Sequence, residues 1–306
     1  MGDLVRIAAL LPPPVAFVLG GGGSYGAVQV GMLRALAETD VRPHLVVGTS
    51  VGSLNGVVVA VNPDQAPALL SAIWPQISRK NVFPVNVVSQ ALAARSNRPW
   101  LFDPGPLSDL LTANIPVASI EELSMPFVAV ATDLDTGVRV DLDSGEIRTA
   151  LLASSAIPGV FPWVERDGRR LVDGGLVANV PIGVAVERGA KSVVVLDCGL
   201  FGIDGRWARS LVSVIVQALT ITARQQVITD LHVATEVPVV FLPTPTTIPS
   251  TLFDFTHTET LAAAAYDETR QLLAALALHR EPLRPGVYGD PPVAVNAPSI
   301  AGLVRW

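Results

Sequence analysis

The chain has 306 residues, of which 50% are hydrophobic and 16% are charged, and its formal net charge at pH 7 is −6. This length suits one large α/β domain or two small ones, and it is enough to bury a sizeable core. No run of Lys or Arg forms a cationic stripe, which argues against nucleic-acid binding and against strong electrostatic docking to anionic lipid.

The cysteine content and the first residues bear on the cellular compartment. Cys198 is the single cysteine, so no intrachain disulfide can form, and its position after an apolar run favours a buried, inert thiol. Asp3 and Arg6 precede only a short apolar stretch that ends at three prolines, so no signal peptide is predicted. The uncharged stretch 43–63 holds Gly, Ser and Asn in its middle, which predicts a strand, a turn and a helix rather than a membrane span. We expect a cytoplasmic protein that could also touch a membrane surface.

Predicted strands and helices alternate along the chain. Continuous apolar runs bounded by turn residues predict buried strands, and apolar residues at helical spacing predict helices. In chain order, we predict a strand at 15–19, a helix at 24–38, a strand at 44–47, a helix at 51–61, strands at 127–131, 138–141, 170–172 and 193–196, a helix at 206–233, a strand at 237–242 and a helix at 258–279. This alternation is typical of a mainly parallel sheet covered by helices.

Two parts of the chain lack this regular pattern. Scattered Pro, Asn and Ser residues between 83 and 116 predict a lid-like insertion with short helices. The proline-rich residues 283–306 predict an irregular C-terminal tail. The remainder, 1–282, is predicted to form one domain whose motifs lie between 15 and 197.

The segment Gly48-Thr49-Ser50-Val51-Gly52 fits the pattern Gly-x-Ser-x-Gly between a predicted strand and a predicted helix. A nucleophilic serine at such a sharp turn exposes its Oγ, and the strained backbone requires small neighbours. The positive N-terminal end of the following helix would stabilise a developing oxyanion. An ordinary glycine-rich turn between a strand and a helix is the alternative interpretation.

A second glycine-rich segment, Gly20-Gly21-Gly22-Gly23-Ser24-Tyr25-Gly26, follows the first predicted strand. Backbone amides that no side chain obstructs can converge on an anion, such as the tetrahedral intermediate of acyl transfer. Gly21, Gly23 and Gly26 also fit the Gly-x-Gly-x-x-Gly pattern of dinucleotide sites. Such a site needs an acidic residue at the end of the next strand, where this chain has Gly48-Thr49-Ser50, so a dinucleotide site is disfavoured.

A third segment, Asp173-Gly174-Gly175, follows the strand-like run at 170–172. An aspartate before two glycines at the end of a strand can present its carboxylate to a cleft, although aspartates in ordinary turns are common. Apolar neighbours on both sides predict that desolvation raises the basicity of this carboxylate.

These segments occur in an order that resembles the patatin-like phospholipase family, in its bacterial form. The resemblance covers roughly 15–197 and, more loosely, the last predicted helix. Its motifs lie at 17–23 with Gly26, 31–36, 48–56, 101–103 with Pro106 and Leu107, 131–134 with Gly137, 153–162, 173–175 and 179–181. One such motif is a weak signal, but the ordered set is highly specific.

The resemblance implies a three-layer α/β/α fold with a mainly parallel central sheet, and a carboxylic ester hydrolase. The substrate would be a phospholipid, a lysophospholipid or another acyl ester of a lipid. The resemblance also implies possible transient contact with a membrane surface, and neither metal nor cofactor. The resemblance assigns Ser50 as nucleophile and Asp173 as its only catalytic partner, acting as general base and acid. It further assigns the oxyanion to the backbone amides of Gly21, Gly22, Gly23 and Ser24, and motif support to Gly26, Gly48, Gly52, Gly174 and Gly175.

The chain departs from the family pattern at two positions. Tyr25 stands where many bacterial relatives carry Arg or Lys, which weakens the expectation of a phosphate headgroup in the substrate. Trp163 stands where relatives often carry a second proline. The aromatic residues around the predicted insertion are expected in the local core, and some of them could line an acyl pocket; they are Trp74, Phe83, Trp100 and Phe102.

Two other interpretations of function stay open. A Ser-Asp-His esterase would use His232, His257 or His279, although a lone histidine on a helix usually lies at the surface. A lipid- or acyl-binding protein could keep the same fold without turnover. The apolar face of the predicted helix 206–233 would allow an oligomer, although packing of this face in the core is the simpler expectation.

Overall fold

The computed structural model describes residues 4–83, 98–199, 211–232, 236–245, 251–289, 291 and 304–305. Within these ranges the strands are β1 Val15–Leu19, β2 Leu45–Thr49, β3 Phe127–Asp133, β4 Arg139–Leu142, β5 Val164–Arg166, β6 Arg169–Asp173, β7 Ser192–Leu196, β8 Pro238–Phe241, β9 Gly286–Tyr288 and β10 Val304–Arg305. The α-helices are α1 Ala27–Ala37, α2 Val51–Val61, α3 Ala66–Ile73, α4 Arg79–Val82, α5 Gly105–Asn114, α6 Ile147–Ser154, α7 Ile182–Glu187, α8 Leu211–Asp230 and α9 Thr258–Leu276. Short 3-10 helices form at Leu4–Leu10, Gly23–Gly26, Trp74–Gln76, Ile120–Glu122 and Gly174–Leu176.

All of these strands join one sheet. The larger part is parallel, in the order β10-β9-β8-β7-β1-β2-β3. β4 and the β5-β6 hairpin add antiparallel pairs at β3. The central strands β1 and β7 are buried along their whole length, as continuous apolar runs in a parallel sheet should be. The predicted central sheet, mainly parallel, is confirmed.

Side chains that alternate along the central strands fill two separate cores. Phe17 and Leu19 of β1 pack with residues of α1, α2, α6 and α9 on one face of the sheet. Ala16 and Val18 pack with residues of α7 and α8 on the other face. Two layers of helices therefore enclose the sheet, which is the predicted three-layer α/β/α arrangement.

Local sequence explains where α2, the helix that follows the predicted nucleophile, begins and ends. α2 starts directly after Ser50 and stops at Val61, because Pro63 disfavours helical backbone at the preceding residue. Asn62 accordingly has an extended φ of −159°.

Within the described ranges, no helix is both long enough and apolar enough to cross a bilayer.

The structure differs from the sequence-based expectation at the C-terminal end. Residues 283–306 were expected to be irregular, but β9 and β10 extend the sheet with two further parallel strands. Val287 and Tyr288 are buried there, in an apolar run too short to show a period of its own. Of the predicted insertion, residues 84–97 lie outside the described part, and α5 forms in the remainder. Of the predicted helix 206–233, the structure describes 211–232.

Candidate active site

The pairing registers place the ends of β2 and β6 next to each other. Thr49 of β2 pairs with Val130 of β3, and Asp173 of β6 pairs with Ala131, the next residue of β3. β4 also pairs with Val130 and Ala131, and one edge of a strand holds only one partner at each position. β2 and β6 therefore lie end to end along the other edge of β3. Ser50, which follows β2, meets Asp173, which ends β6, at the break between the two strands.

Ser50 occupies a strained turn between β2 and α2. Its φ of 53° and ψ of −129° lie outside the regions that residues with a side chain normally adopt. Its amide donates to Ser154 Oγ at 3.0 Å, and this hydroxyl donates onward to Val130 O at 2.6 Å. Position 52 must be glycine, because a Cβ on Gly52 would lie 2.1 Å from Leu19 O. Contacts on both sides of the turn thus fix the position of the serine.

The Asp173 carboxylate is buried beside Ser50. Its Oδ1 accepts a hydrogen bond from the Gly175 amide at 2.8 Å. Its backbone amide donates to Ala156 O at 3.0 Å, and its carbonyl accepts from Thr132 Oγ1 at 2.9 Å. Burial raises the pKa of Asp173 from 3.8 to about 6, although the Gly175 amide and the Ser50 hydroxyl lower it as hydrogen-bond donors. This carboxylate is mostly ionised at neutral pH, and it is a stronger base than a solvated aspartate.

Residues 20–26, called the glycine loop below, connect β1 to α1 beside Ser50. Two of the four predicted oxyanion donors are engaged within the fold. The Gly21 amide donates to Asn179 O at 3.0 Å, and the Ser24 amide donates to Leu252 O at 3.0 Å. In this structure neither amide is available to a substrate oxygen.

Gly22 and Gly23 retain amides that no hydrogen bond within the described residues uses. Both glycines line one cavity together with Ser50 and Asp173. A Cβ on Gly22 would lie 2.3 Å from the Cβ of Cys198, which follows β7. The glycine loop can therefore pass this close to Cys198 only because residue 22 has no side chain. Cys198 itself is buried, and burial raises the pKa of its thiol.

An apolar cavity of about 830 Å³ opens at Ser50 and Gly23. Its walls come from α2, α3 and α5 and are formed almost entirely by hydrocarbon side chains, such as Leu111. Of the aromatic residues near the predicted insertion, Trp74 and Phe83 line this cavity.

A second cavity of about 500 Å³ meets the apolar cavity at Ser50 and Gly23, since both residues line both spaces. Asp173 lines only the second cavity. Its outer wall is α8, which contributes Thr220 and Ala223. Ser50 therefore lies between two spaces, with the carboxylate on the side of the second.

The described residues that line these two cavities include no histidine. His232 lies 3.1 Å from a backbone carbonyl of its own helix, His257 faces Asp254 at 3.9 Å, and His279 packs edge-on against an aromatic ring. Within the described ranges, no three His, Cys, Asp or Glu side chains are grouped so that they could hold a metal ion.

The two departures from the family pattern lie in different surroundings. Tyr25, which replaces the basic residue, is buried at 8% exposure. Trp163 packs edge-on against Trp100 with ring centroids 5.7 Å apart, and the Arg170 guanidinium lies 5.3 Å from the Trp163 ring centroid. Neither tyrosine nor tryptophan brings a cation to the serine.

Sequence reasoning gave no role to two residues that shape the site. Ser154 accepts the Ser50 amide, and Asn179 accepts the Gly21 amide and donates from Nδ2 to Gly21 O at 3.4 Å. Both lie within motifs of the resemblance, but a motif does not show which atoms its side chains reach. The supporting glycines at 26, 48 and 174 also lie where a Cβ would come within 2.6 Å of a neighbouring atom.

Comparisons with known proteins point to one family. The family model described as patatin-like phospholipase matches residues 17–186, which is more than half of the chain. Over 202 residues the chain is 31% identical to patatin-like phospholipase domain-containing protein 7 of Rattus norvegicus, and 31% identical to protein 6 of the same name in Homo sapiens. Over 208 residues it is 29% identical to lysophospholipase NTE1 of Mycosarcoma maydis. These matches cover 64% of this chain but only 14%, 14% and 10% of the three relatives.

Among solved structures, the chain is similar to VipD from Legionella pneumophila, with a TM-score of 0.40 and 16% identity. That match covers 86% of this chain and 67% of the other. A further match is the ExoU–SpcU complex of Pseudomonas aeruginosa, with a TM-score of 0.36, 16% identity, and coverage of 88% of this chain and 53% of that one.

Proposed function

This chain belongs to the patatin-like phospholipase family, and we propose that it hydrolyses carboxylic esters of lipids, with Ser50 as nucleophile and Asp173 as its only general base and acid. One observation carries the proposal: the break between β2 and β6 brings the Ser50 hydroxyl to a buried carboxylate. The names of the relatives, patatin-like phospholipases and a lysophospholipase, support a lipid substrate. The apolar cavity beside the serine supports the same substrate class.

In the proposed first step, Ser50 Oγ attacks the ester carbonyl carbon while its proton passes to the Asp173 carboxylate. The resulting oxyanion accepts hydrogen bonds from the amides of Gly22 and Gly23. The bond to the alcohol oxygen then breaks, and this oxygen takes the proton from Asp173. The alcohol leaves through the second cavity, and the acyl group remains on Ser50 with its chain in the apolar cavity.

In the second step, water attacks the acyl carbon and gives a proton to Asp173. The same two amides hold the second oxyanion, and Asp173 returns the proton to Ser50 Oγ as the fatty acid leaves. A base must have a pKa near the working pH to accept a proton readily. The raised pKa of Asp173, about 6, supports a role as base without the help of a histidine.

The proposed substrate has one hydrocarbon chain in the apolar cavity and its alcohol in the second. The lining of the apolar cavity offers almost no polar partner, so the chain binds there by burial of apolar surface. Since this contact does not depend on the headgroup, the rate should vary more with chain length than with the alcohol.

Hydrolysis of p-nitrophenyl esters of graded chain length tests the proposal. Ser50→Ala and Asp173→Asn should each lower kcat by about a thousandfold or more. Matched controls are Ser71→Ala, whose hydroxyl donates to Pro67 O on α3, and Asp230→Asn. Asp230 has a pKa that burial likewise raises to about 6, but it lines neither cavity, so both controls should keep wild-type rates.

A serine-reactive fluorophosphonate, followed by mass spectrometry, gives a second readout of Ser50. Labelling should occur in the wild type and be absent in Ser50→Ala. Full activity in Ser50→Ala would refute the proposed nucleophile. A wild type that neither hydrolyses esters nor reacts with the probe would instead identify a binding protein on a hydrolase fold.

A further inference from the structure

Three polar side chains lie buried behind the glycine loop, on three separate elements. Gln29 of α1 is 0% exposed, Asn55 of α2 is 3% exposed, and Trp74, directly after α3, is 5% exposed. None of them has a role in the proposed proton transfers. Buried polar groups are costly unless they are hydrogen-bonded, so their partners show what they are for.

The three side chains form one continuous set of hydrogen bonds. Trp74 Nε1 donates to Asn55 Oδ1 at 3.0 Å, and Asn55 Nδ2 donates to Gln29 Oε1 at 2.8 Å and to Gly26 O at 3.0 Å. Gln29 Nε2 then donates to Gly20 O at 2.8 Å and to the carbonyl at the end of β7 at 3.0 Å. Both amide NH₂ groups use two donors, and both amide oxygens accept a hydrogen bond.

The orientation of both amides is determined by their partners. The carbonyl oxygens of Gly20 and Gly26 can only accept, so each requires an NH₂ group facing it. With Gln29 and Asn55 oriented in this way, Asn55 Oδ1 can be satisfied only by a donor, which is the indole of Trp74. A fully satisfied buried network of this kind favours one arrangement over all others.

The network ends on the two ends of the glycine loop, at the carbonyls of Gly20 and Gly26. Between these ends the amides of Gly21 and Ser24 are held by other parts of the fold. The interval that remains contains Gly22 and Gly23, whose amides are the proposed oxyanion donors. Fixing both ends of so short a loop fixes the direction of those two amides.

Trp74 also lines the apolar cavity, where its ring lies 6.4 Å from that of Phe255. It packs on the end of the loop as well, since a Cβ on Gly26 would lie 2.9 Å from Trp74 Cζ2. We propose that Asn55 and Gln29 are positioning residues for the oxyanion amides, and that Trp74 joins them to the wall of the acyl cavity. This inference rests on the proposed function, because it presumes that the loop holds an oxyanion.

Trp74→Phe is the most selective perturbation. It keeps an aromatic ring in the cavity wall and removes the indole donor, which leaves Asn55 Oδ1 buried without a partner. It also removes the part of the indole ring that packs on Gly26. Removal of a whole oxyanion donor lowers kcat by about 10²–10³-fold. Misdirection of the loop, with both donors retained, should lower kcat by about tenfold and change KM by less than about twofold, because substrate binding uses the same cavity wall.

The first test does not depend on catalysis. Amide hydrogen–deuterium exchange of peptides that cover the glycine loop is compared in Ser50→Ala and in Ser50→Ala/Trp74→Phe. The loop amides should exchange about tenfold faster in the double variant, because an orphaned buried acceptor weakens the network. Phe255→Leu in the same background is the matched control: it alters the same cavity wall without touching a hydrogen bond of the network, and the loop should exchange as before. Equal exchange with and without the indole would overturn the proposal even if the protein is a proven esterase.

The second test is a double-mutant cycle on ester hydrolysis. Trp74→Phe and Asn55→Ala should each lower kcat, and the double variant should be no slower than Asn55→Ala by more than about twofold, because the indole acts through Asn55. Effects that multiply, or a change in KM alone, would show that Trp74 is only part of the wall. If Asn55→Ala fails to fold, Trp74→Phe still tests the proposal, because a positioning role predicts a lower kcat with a nearly unchanged KM. Absence of turnover with faster loop exchange would count against the proposed function alone.

Discussion

Replacing Asp173 by Asn should abolish hydrolysis and, at the same time, make the protein more stable above neutral pH. The Asn side chain has the same shape, so its oxygen can accept the Gly175 amide and its NH₂ group can donate to Ser50 Oγ. In the wild type, burial raises the pKa of Asp173 from 3.8 to about 6. Each pH unit of this difference corresponds to about 1.4 kcal/mol. A difference of about two units therefore gives about 3 kcal/mol that the ionised carboxylate subtracts from the stability of the fold.

The direction of this effect with pH follows from proton linkage. The folded protein binds the proton of Asp173 more tightly than the unfolded chain does, so stability falls as the pH rises from about 4 to about 6 and stays low above that. Asn has no ionised form, so the stability of Asp173→Asn does not fall with pH for this reason. The advantage of Asp173→Asn in the free energy of unfolding should therefore be about 3 kcal/mol at pH 8 and about half of that at pH 5.

Urea denaturation of both proteins at pH 5, 6, 7 and 8 measures this difference. Other buried carboxyls, such as Asp197 with a pKa raised by burial to about 7, titrate in both proteins and cancel in the comparison. Asp230→Asn is the matched control for the loss of a buried charge away from Ser50. A difference between Asp173→Asn and wild type that does not change with pH would refute the raised pKa, and with it the account of Asp173 as a base strengthened by burial.

Four further outcomes follow from the same geometry. Below pH 6 the value of kcat/KM should fall about tenfold per pH unit, and above pH 6 it should level off, because Asp173, the proposed base, can accept a proton only when it is ionised. A pH–rate profile between pH 4.5 and 8.5 checks this. Ser154→Ala leaves the Ser50 amide without its acceptor, so urea denaturation should show a loss of about 1–3 kcal/mol, and ester assays a lower kcat. Gly52→Ala, whose Cβ would overlap a backbone oxygen at 2.1 Å, should lose more than about 3 kcal/mol in denaturation experiments. Gly137→Ala, where a Cβ meets nothing within 4 Å, should lose about 1–2 kcal/mol from its positive φ alone.

The parts of the fold that could be predicted from the sequence are those with a local signal. β1 and α2 have the predicted bounds. A continuous apolar run marks both ends of β1, and a helical pattern followed by proline marks the end of α2. β5 and β9, with three residues each, and α7, with six, carry no period of their own. The strands β5 and β9 are held by pairing with neighbouring strands, and α7 is held by packing on the sheet, which a local pattern does not show.

The candidate site likewise has one part that local sequence predicts and another that it does not. The pattern around Ser50 predicts a strained turn, because the backbone conformation and the small neighbours are properties of five consecutive residues. Which glycine-loop amides remain available could not be predicted, because the partners of Gly21 and Ser24 are carbonyls at positions 179 and 252. The network behind the loop joins residues that are 9 to 167 positions apart, and no local pattern indicates it.

The meeting of β2 and β6 explains why a carboxylate alone could serve as the base. If β2 continued past Thr49, it would occupy the edge of β3 beyond Val130. No carboxylate from another strand could then reach the turn at Ser50. Here β2 stops at Thr49 and β6 approaches from the opposite direction, so its last residue, Asp173, lies directly against Ser50. The same arrangement buries the carboxylate, which makes it a stronger base and destabilises the fold when it ionises. The greater basicity of Asp173 and its cost in stability thus have one physical cause. A variant that removes the raised pKa should therefore gain stability only by losing the proposed proton acceptor.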